Sequence, residues 1–423
     1  MTANGTAQSF SARSIVNAGA LLFSATLILS VGGFVFHAIA SRRLGVGDYG
    51  ALYALISLYT IAVIPASLFS PVVTKYAAEF RALHDDSHVR GLIDLIVRAF
   101  GAFGLAYIAL GLTLAFPIGT FLHIPGWEIP IVGVMAAIGI LSSTLRAIGQ
   151  GVHDYAAYGF SMATEGFGKV VVLLAFCLIG LTIFRGALSF AIGMFIGGLC
   201  IFVPLARRYF RIAASSVALD WKRILGTTAG AASLTLTMTL IGFGDVLIVK
   251  HAFPAAEAGL YSVASLSAKV LFYFVNFVPG ILIPQATHRH ARGERTRRTL
   301  FAACVFVAIV SLSGVVAYQL FGAVLLHTLS GRAFDAALPL LPTYAGAMAF
   351  LAITNTLGSY ALATHRLAFA IPLVLATLGT LVLIAAVHPS LSAVVNELLL
   401  GTFVMFAALA VPLGVQGLQH IRK

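Results

Sequence analysis

Strongly apolar stretches of about 20 residues alternate with short charged or Pro/Gly-rich breaks from Ile15 to the end of the chain. A bilayer core about 30 Å thick takes about 20 helical residues to cross, and a crossing segment must satisfy its own backbone hydrogen bonds. The pattern therefore predicts an all-α polytopic membrane protein. Hydropathy places twelve predicted helices at 15–40, 51–74, 91–116, 129–149, 159–183, 187–205, 224–249, 259–285, 300–326, 338–362, 367–388 and 394–418.

Composition supports the same class of protein, because 60% of the 423 residues are hydrophobic and only 9% are charged. A net charge of +12 on so apolar a chain indicates basic cytoplasmic loops rather than nucleic-acid binding. The three cysteines, Cys177, Cys200 and Cys304, fall within predicted helices, where we expect small buried apolar residues. We expect no cofactor and no nucleic-acid partner.

The positions of the basic residues predict that both termini lie in the cytoplasm. Most of the 26 Lys and Arg residues fall in connections on one side of the membrane. Cytoplasmic connections carry an excess of Lys and Arg, so this side is the cytoplasmic one. The opposite connections hold only Arg42, Arg43, Arg185, Lys250 and Arg332.

The two halves of the chain contain similar segments at an offset of about 209 positions, where Arg42–Gly50 matches His251–Tyr261. In both segments an apolar helix ends near a cation, an acidic residue precedes Gly by two positions, and a Tyr-containing helix follows. Six helices per half with the same topology indicate a parallel repeat, as in alternating-access carriers. The predicted domains are a six-helix bundle over 1–206, a basic cytoplasmic linker over 207–223 and a second bundle over 224–423.

Prolines recur at matching places in the two halves. Pro65 and Pro71 in the second predicted helix correspond to Pro279 and Pro284 in the eighth. Because proline interrupts the helical hydrogen-bond ladder, paired kinks are expected beside the cleft between the bundles.

The segment Ile39–Gly50 (IASRRLGVGDYG), followed by Tyr76–Ala82 (YAAEFRA), resembles the opening of oligosaccharide flippases. These form the polysaccharide-transporter branch of the multidrug/oligosaccharidyl-lipid/polysaccharide exporter superfamily. The resemblance is clearest over the first 90 residues or so, and many relatives carry fourteen spans rather than twelve. It implies a carrier of the bacterial inner membrane that moves a polyprenyl-diphosphate-linked oligosaccharide to the outer leaflet for surface polysaccharide synthesis. An H⁺ or Na⁺ gradient would drive it as an antiporter, with polysaccharide polymerase machinery as a further partner.

Cations in or beside predicted helices are the candidate ligands of a diphosphate, since an ionisable group in hydrocarbon is costly unless it meets a partner or water. Arginine suits phosphate best because of its fork of donors. By the resemblance, Arg42 also matches an arginine in the substrate cavity of lipid II flippases. The alternative is that cations at helix ends snorkel to the interface and cap helix C-termini. The candidate substrate-binding residues are Arg42, Arg43, Lys169, Lys250 and Lys269.

Two acidic residues inside predicted helices are candidates for ion coupling. Glu165 and Lys169 lie one helical turn apart and are expected to pair, either as a structural ion pair or as a switch that a proton or anionic lipid breaks. Asp245 has no obvious partner on its own helix, which makes it a candidate for H⁺ or Na⁺ binding. Lys269 has no local acid either, and we expect it to face a wet central cavity.

Two loop clusters receive plainer interpretations. His84–His88 contains residue types that bind metals, but it lies in a short basic connection, so we expect a solvated loop and no metal site. The basic run from His288 to Arg295 is interpreted as an anchor to anionic lipid headgroups.

Three other functions are weighed against the flippase. A transferase acting on lipid-linked sugars needs a base or metal-binding acids in a substantial loop, and the predicted loops are short with isolated acids, so we expect no enzyme. A multidrug exporter of the same superfamily needs an acidic cavity for cationic drugs, whereas the candidate charges are mainly cations. A non-transporting scaffold leaves the intramembrane charges without a role.

Overall fold

A computed structural model describes residues 12–217, 221–292, 296–364 and 367–419 of the chain. Within these ranges the chain forms fifteen α-helices and three 3-10 helices, and no strand. The α-helices are α1 (Ala12–Leu44), α2 (Val46–Ala62), α3 (Ile64–Ala82), α4 (Asp86–Thr113), α5 (Ala115–Leu122), α6 (Pro130–Gly151), α7 (Tyr155–Leu178), α8 (Ile183–Tyr209), α9 (Trp221–Ala252), α10 (Ala255–Val275), α11 (Phe277–Ala291), α12 (Arg297–Leu329), α13 (Leu341–Ala363), α14 (Ala370–Ala386) and α15 (Leu391–Gln419).

The predicted all-α membrane architecture is confirmed. The described residues contain eleven helical segments that are long and apolar enough to cross a bilayer, or up to twelve if the bent pair α2–α3 counts as one span. This pair bends by 43° at Val63, and Pro65 lies in the first turn of the second helix. In the other half, α10 and α11 are separated at Asn276, shortly before Pro279. The second and eighth predicted helices are thus both interrupted, as their prolines indicate.

The helices form two bundles, which we call the first bundle (α1–α8) and the second bundle (α9–α15). In the first bundle α7 packs against α1 and α8, and α6 packs against α3, α4 and α8. In the second bundle α13 packs against α10, α11, α12 and α15. The predicted linker 207–223 includes three residues outside the described ranges, so its bounds stay a prediction, as does the cytoplasmic location of both termini.

The interior contains buried tyrosines and polar side chains among many aliphatic ones, while large apolar side chains also cover the outside. Tyr49, Tyr53, Tyr261 and Tyr344 are among the largest fully buried residues. By contrast, Phe301, Leu320 and Ile371 and many similar residues are exposed on the surface. This distribution suits a helical protein whose outer surface meets lipid.

The bundles meet where the N-terminal turns of α2 and α10 cross. A Cβ atom at Gly259 would lie 1.9 Å from the carbonyl oxygen of Val46, and one at Gly50 would lie 2.8 Å from the Cα of Gly259. The two backbones therefore touch with no room for a side chain. Gly50 and Gly259 are also equivalent positions of the predicted repeat.

Two further contacts join the bundles near this crossing. Arg42 of α1 donates hydrogen bonds to the carbonyl oxygens of His327 (3.0 Å) and Thr328 (2.6 Å) at the end of α12. The ring of His251 at the end of α9 stacks on Phe121 of α5, with 4.0 Å between centroids. One side of the bundle boundary is therefore closed by three separate contacts.

The chain that leaves the first bundle packs on the start of α4. The backbone N–H of Ser215 donates to the carbonyl of Ser87 (3.1 Å), and Arg90 lies over the ring of Phe210 at 3.4 Å. Asp85 caps α4 by accepting from the backbone N–H of His88 at 3.1 Å and the hydroxyl of Ser87 at 2.6 Å. These hydrogen bonds lower the pKa of the Asp85 carboxyl, and the bond from the Ser87 hydroxyl has the largest effect. The residues interpreted as a solvated loop thus include a helix cap.

The crossing of α2 and α10 yields a first prediction. In Gly259→Val, the new Cβ must move from 1.9 Å to an ordinary contact of at least 3.4 Å from Val46, so the two helices must separate. We expect the spin-label distance between Trp127→Cys and Ala336→Cys, one on each bundle, to lengthen in a background without the native cysteines. Gly379→Val is the matched control, because nothing lies within 4 Å of a Cβ there. An unchanged distance in Gly259→Val would show that the crossing does not hold the bundles together.

Candidate functional site

Asp245 of α9 is fully buried at the centre of the second bundle. Its Oδ2 atom accepts hydrogen bonds from the hydroxyls of Tyr261 of α10 (2.7 Å) and Tyr344 of α13. The Tyr344 hydroxyl also lies 2.9 Å from Oγ of Ser265. Oδ1 of Asp245 has no hydrogen-bond partner among the described groups. The carboxylate that lacks a partner on its own helix therefore has two phenol donors from neighbouring helices and one free oxygen.

Lys269 links this cluster to the first bundle. Its ammonium group donates to the hydroxyl of Tyr53 of α2 (3.1 Å) and lies 4.3 Å from the ring centroid of Phe243. Asp245 is close enough to attract it electrostatically. Only 3% of Lys269 is exposed, so in this state it meets aromatic and phenolic groups rather than the wet cavity expected from the sequence.

Lys169 approaches the same region from the first bundle. Its ammonium group lies 4.7 Å from the ring centroid of Phe190, and it lies 3.9 Å from the position that a Cβ would take at Gly33 of α1, one turn before His37. The Nδ1 atom of His37 lies 3.2 Å from the Tyr49 hydroxyl. The His37 ring also lies 5.5 Å from the ring of Tyr53, the acceptor of Lys269, so one buried lysine from each bundle lies in this region. We call Lys169, Lys269, His37 and Tyr53 the central cationic cluster.

The ion pair of Glu165 differs from the one expected from the sequence. Its carboxylate pairs with Arg146 of α6, and only 11% and 12% of the two side chains are exposed. Arg146 also donates from Nε to Oγ of Ser161 (3.0 Å), whose hydroxyl donates to the carbonyl of Gly197 (2.6 Å). Lys169 lies within electrostatic range of Glu165 but does not form its ion pair. Glu165 is therefore part of a network across three helices of the first bundle.

The remaining predicted cations lie near the crossing of the bundles. Arg42 is exposed and donates to the last carbonyls of α12, which matches the capping alternative in this state. Arg43 is exposed beside it. Lys250 is only 3% exposed and is attracted by Asp48 of the first bundle. The structure thus groups Lys169 and Lys269 near the centre and leaves Arg42, Arg43 and Lys250 at helix ends.

Several groups at the centre were missed by sequence reasoning. Tyr53 and Tyr261 follow the repeat glycines closely, so the repeat itself contains a signal for them. His37 is the single histidine of its predicted helix. Arg146 lies close to the end of the predicted helix 129–149, where an arginine is readily counted as part of a cytoplasmic connection.

Comparison with solved structures establishes the fold. The chain aligns over 94% of its length, and over 98% of the other chain, with a structure described as the inward-facing conformation of a multidrug resistance MATE family transporter of the MOP superfamily (TM-score 0.76, 11% identity). It aligns over 93% with the lipid II flippase MurJ in an inward closed conformation, covering 87% of that chain (TM-score 0.69, 12% identity). A mutant of the Vibrio cholerae MATE transporter VcmN matches over 93% of this chain and 95% of its own (TM-score 0.61, 15% identity).

No protein-family model matches the sequence, and no curated protein matches it. At these low identities the comparisons establish the two-bundle fold shared by MATE transporters and MurJ.

The Arg146–Glu165 pair yields a second prediction. Removing one partner of a buried ion pair leaves an uncompensated charge and costs about 3–5 kcal/mol, whereas removing both costs much less. We expect Glu165→Gln to lower the thermal unfolding temperature in detergent, and Arg146→Met with Glu165→Leu to recover most of the loss. If Glu165→Gln is as stable as the parent protein, the pair contributes no net stability. Arg98→Gln, at a largely exposed arginine, serves as the control.

Proposed function

We propose that this chain is a carrier of the bacterial inner membrane that flips a polyprenyl-diphosphate-linked oligosaccharide to the outer leaflet by alternating access, and that it is not an enzyme. The observation that carries the proposal is the central cationic cluster, in which a buried lysine from each bundle lies near the adjacent rings of His37 and Tyr53. Two cations in a low-dielectric interior favour a multiply charged anion. A diphosphate meets this requirement, while its sugar stays in the aqueous cleft and its tail stays in lipid.

The hydrogen bond from Lys269 to Tyr53 suggests how cargo binding is coupled to movement. In this state the bond joins the two bundles, and a neutral phenol oxygen is its acceptor. A diphosphate oxygen is a stronger acceptor of the same proton, because it carries negative charge and attracts the ammonium group, whereas the phenol oxygen is neutral. Cargo binding would therefore replace a contact between the bundles and leave them free to rock.

The side on which the bundles are closed supports an inward-open state. The closed side contains Gly50, Gly259 and Arg42, which the distribution of basic residues assigns to the outside. Both termini would then be cytoplasmic. Opening outward would separate Arg42 from α12 and Lys250 from Asp48. We propose that Arg42, Arg43 and Lys250 then hold the diphosphate on the exit side.

Asp245 is the proposed coupling site for H⁺ or Na⁺, with Glu165 as a second candidate. The Oδ1 atom of Asp245 has no hydrogen-bond partner among the described groups, so it is available to a small cation. Its Oδ2 atom accepts hydrogen bonds from two tyrosines. Because Lys269 is attracted by the same carboxylate, a cation at Asp245 would weaken the hold on Lys269. Such an exchange would make the protein an antiporter.

A multidrug exporter is the second candidate function. It is supported by the MATE transporter fold, with a TM-score of 0.76, and by the buried carboxylate of Asp245, which could attract a cationic drug. The two functions differ in the charge of the cargo, so one assay separates them. In vesicles containing the purified protein, a dithionite assay follows a fluorescent polyprenyl-diphosphate glycan, and ethidium accumulation follows drug transport. Drug transport without glycolipid flipping would overturn the flippase proposal.

The cluster yields a third prediction. Lys269→Met removes the cation and the bond to Tyr53, so we expect flipping of the fluorescent glycolipid to fall by at least about tenfold, since a charged hydrogen bond is worth about 1.5–3 kcal/mol. The double variant Lys269→Met with Asp245→Asn leaves no unpaired carboxylate. We therefore expect it to insert into the membrane and to elute from a sizing column as a single monodisperse species. Lys75→Met, at an exposed lysine, is the control and should flip at the parental rate. Normal flipping by Lys269→Met would refute the cluster as the cargo site.

A fourth prediction concerns coupling. Asp245→Asn keeps the size of the side chain but removes its charge, so we expect flipping that no longer responds to an imposed H⁺ or Na⁺ gradient. The parent protein should accelerate in one of the two gradients and slow when an ionophore collapses it. Asp335→Asn, at an exposed aspartate, should behave as the parent does. An unaltered gradient response in Asp245→Asn would exclude Asp245 as the coupling site.

A further inference from the structure

A cavity of about 300 Å³ opens on the surface of the second bundle between α11 and α12. Phe277, Ile281 and Phe306 line the end farther from the connection between the two helices, and the exposed fraction of each is 45% to 54%. Gln285 and Thr299 line the part nearest to the basic connection between the two helices. We call this cavity the α11–α12 groove. It is apolar along most of its length and polar at one end.

The polar end carries a positioned arginine. Arg289 is exposed and donates from Nη1 to the hydroxyl of Thr299 at 2.9 Å. A guanidinium has five N–H donors, and this bond uses one of them. Arg298, adjacent to Thr299, is also exposed. The mouth of the groove therefore has one arginine held against its lining residue Thr299, and a second exposed arginine precedes Thr299 in the chain.

We propose that the α11–α12 groove binds an anionic phospholipid of the cytoplasmic leaflet, with one acyl chain in the slot and the phosphate on Arg289 and Arg298. Phe277 and Gln285 are eight residues apart, so the slot runs about 12 Å along the helix. That length is slightly less than half of a hydrocarbon core about 30 Å thick. A chain that enters from the inner headgroup region thus reaches nearly to the middle of the membrane.

The walls of the groove favour a resident phospholipid over the transported carrier lipid. Both walls belong to the second bundle, so rocking of one bundle against the other leaves the groove intact. A site for cargo must instead change its access during the cycle. The proposal does not depend on the identity of the cargo, only on the basic end of the molecule facing the cytoplasm.

The test uses tryptophan quenching by lipids with brominated acyl chains. The full chain, with Trp127→Phe and Trp221→Phe, carries Phe306→Trp inside the groove and is placed in phosphatidylcholine vesicles. Brominated phosphatidylglycerol and brominated phosphatidylcholine are compared at equal mole fractions. The control reporter is Phe301→Trp, which lies on the same helix, is 71% exposed and is outside the groove lining.

We expect quenching of the groove reporter to show that brominated phosphatidylglycerol binds about thirtyfold better than brominated phosphatidylcholine, since each of the two arginines contributes about 1 kcal/mol. The control reporter should show no preference. Arg289→Gln with Arg298→Gln should abolish the preference, and Arg98→Gln, an exposed arginine of the first bundle, should keep it.

Two results would overturn the proposal. Equal quenching of the groove reporter by both brominated lipids would show that the arginines select no headgroup. Relief of quenching by unlabelled polyprenyl phosphate at a lower mole fraction than by unlabelled phosphatidylglycerol would assign the groove to the carrier lipid instead. Neither result bears on the flipping assay, so the failure of this proposal is distinct from the failure of the proposed function.

Discussion

The backbone contact between α2 and α10 determines where the groups at the centre of this protein lie. Helices in a membrane gain little hydrophobic energy from each other, so close packing at small residues decides how they associate. Gly50 and Gly259 allow the two helices to touch without a side chain between them. Tyr53 follows Gly50 within one turn, and Lys269 extends from α10 to its hydroxyl. The contact that closes one side of the bundle boundary therefore also brings the polar groups of the two bundles together.

Buried charge imposes the second constraint. A charged group removed from water costs several kcal/mol unless partners compensate it, and each acid of the central region has partners from other helices. Glu165 has Arg146, while Asp245 has Tyr261 and Tyr344 together with the nearby Lys269. Phenols donate hydrogen bonds without adding a counter-charge, so the positive charge near Asp245 comes from Lys269. A change of state must therefore exchange partners rather than expose bare charges.

Hydropathy alone predicted the membrane helices, because about 20 apolar residues are needed wherever a helix crosses lipid. The repeat, read from weak matches, aligned Gly50 with Gly259, but only the structure shows that the bundles touch at these two positions. The partner of Glu165 was predicted wrongly, because spacing along one helix finds Lys169 and carries no information about Arg146 on another helix. The burial of Lys269 and its bond to Tyr53 were unpredictable for the same reason, since both arise from contact between two distant halves of the chain.

The choice of a neutral acceptor for Lys269 bears on the class of cargo. A carboxylate at the position of Tyr53 would hold the lysine in a salt bridge that an incoming anion would have to break. The Tyr53 hydroxyl is a weaker acceptor, so a diphosphate can replace it with a gain in electrostatic energy. A cationic drug entering the same place would meet Lys169 and Lys269 and would have to displace Lys269 before it reached Asp245. The arrangement at the bundle boundary is the basis on which we propose an anionic cargo, and it is the reason for preferring the flippase to the drug exporter in that proposal.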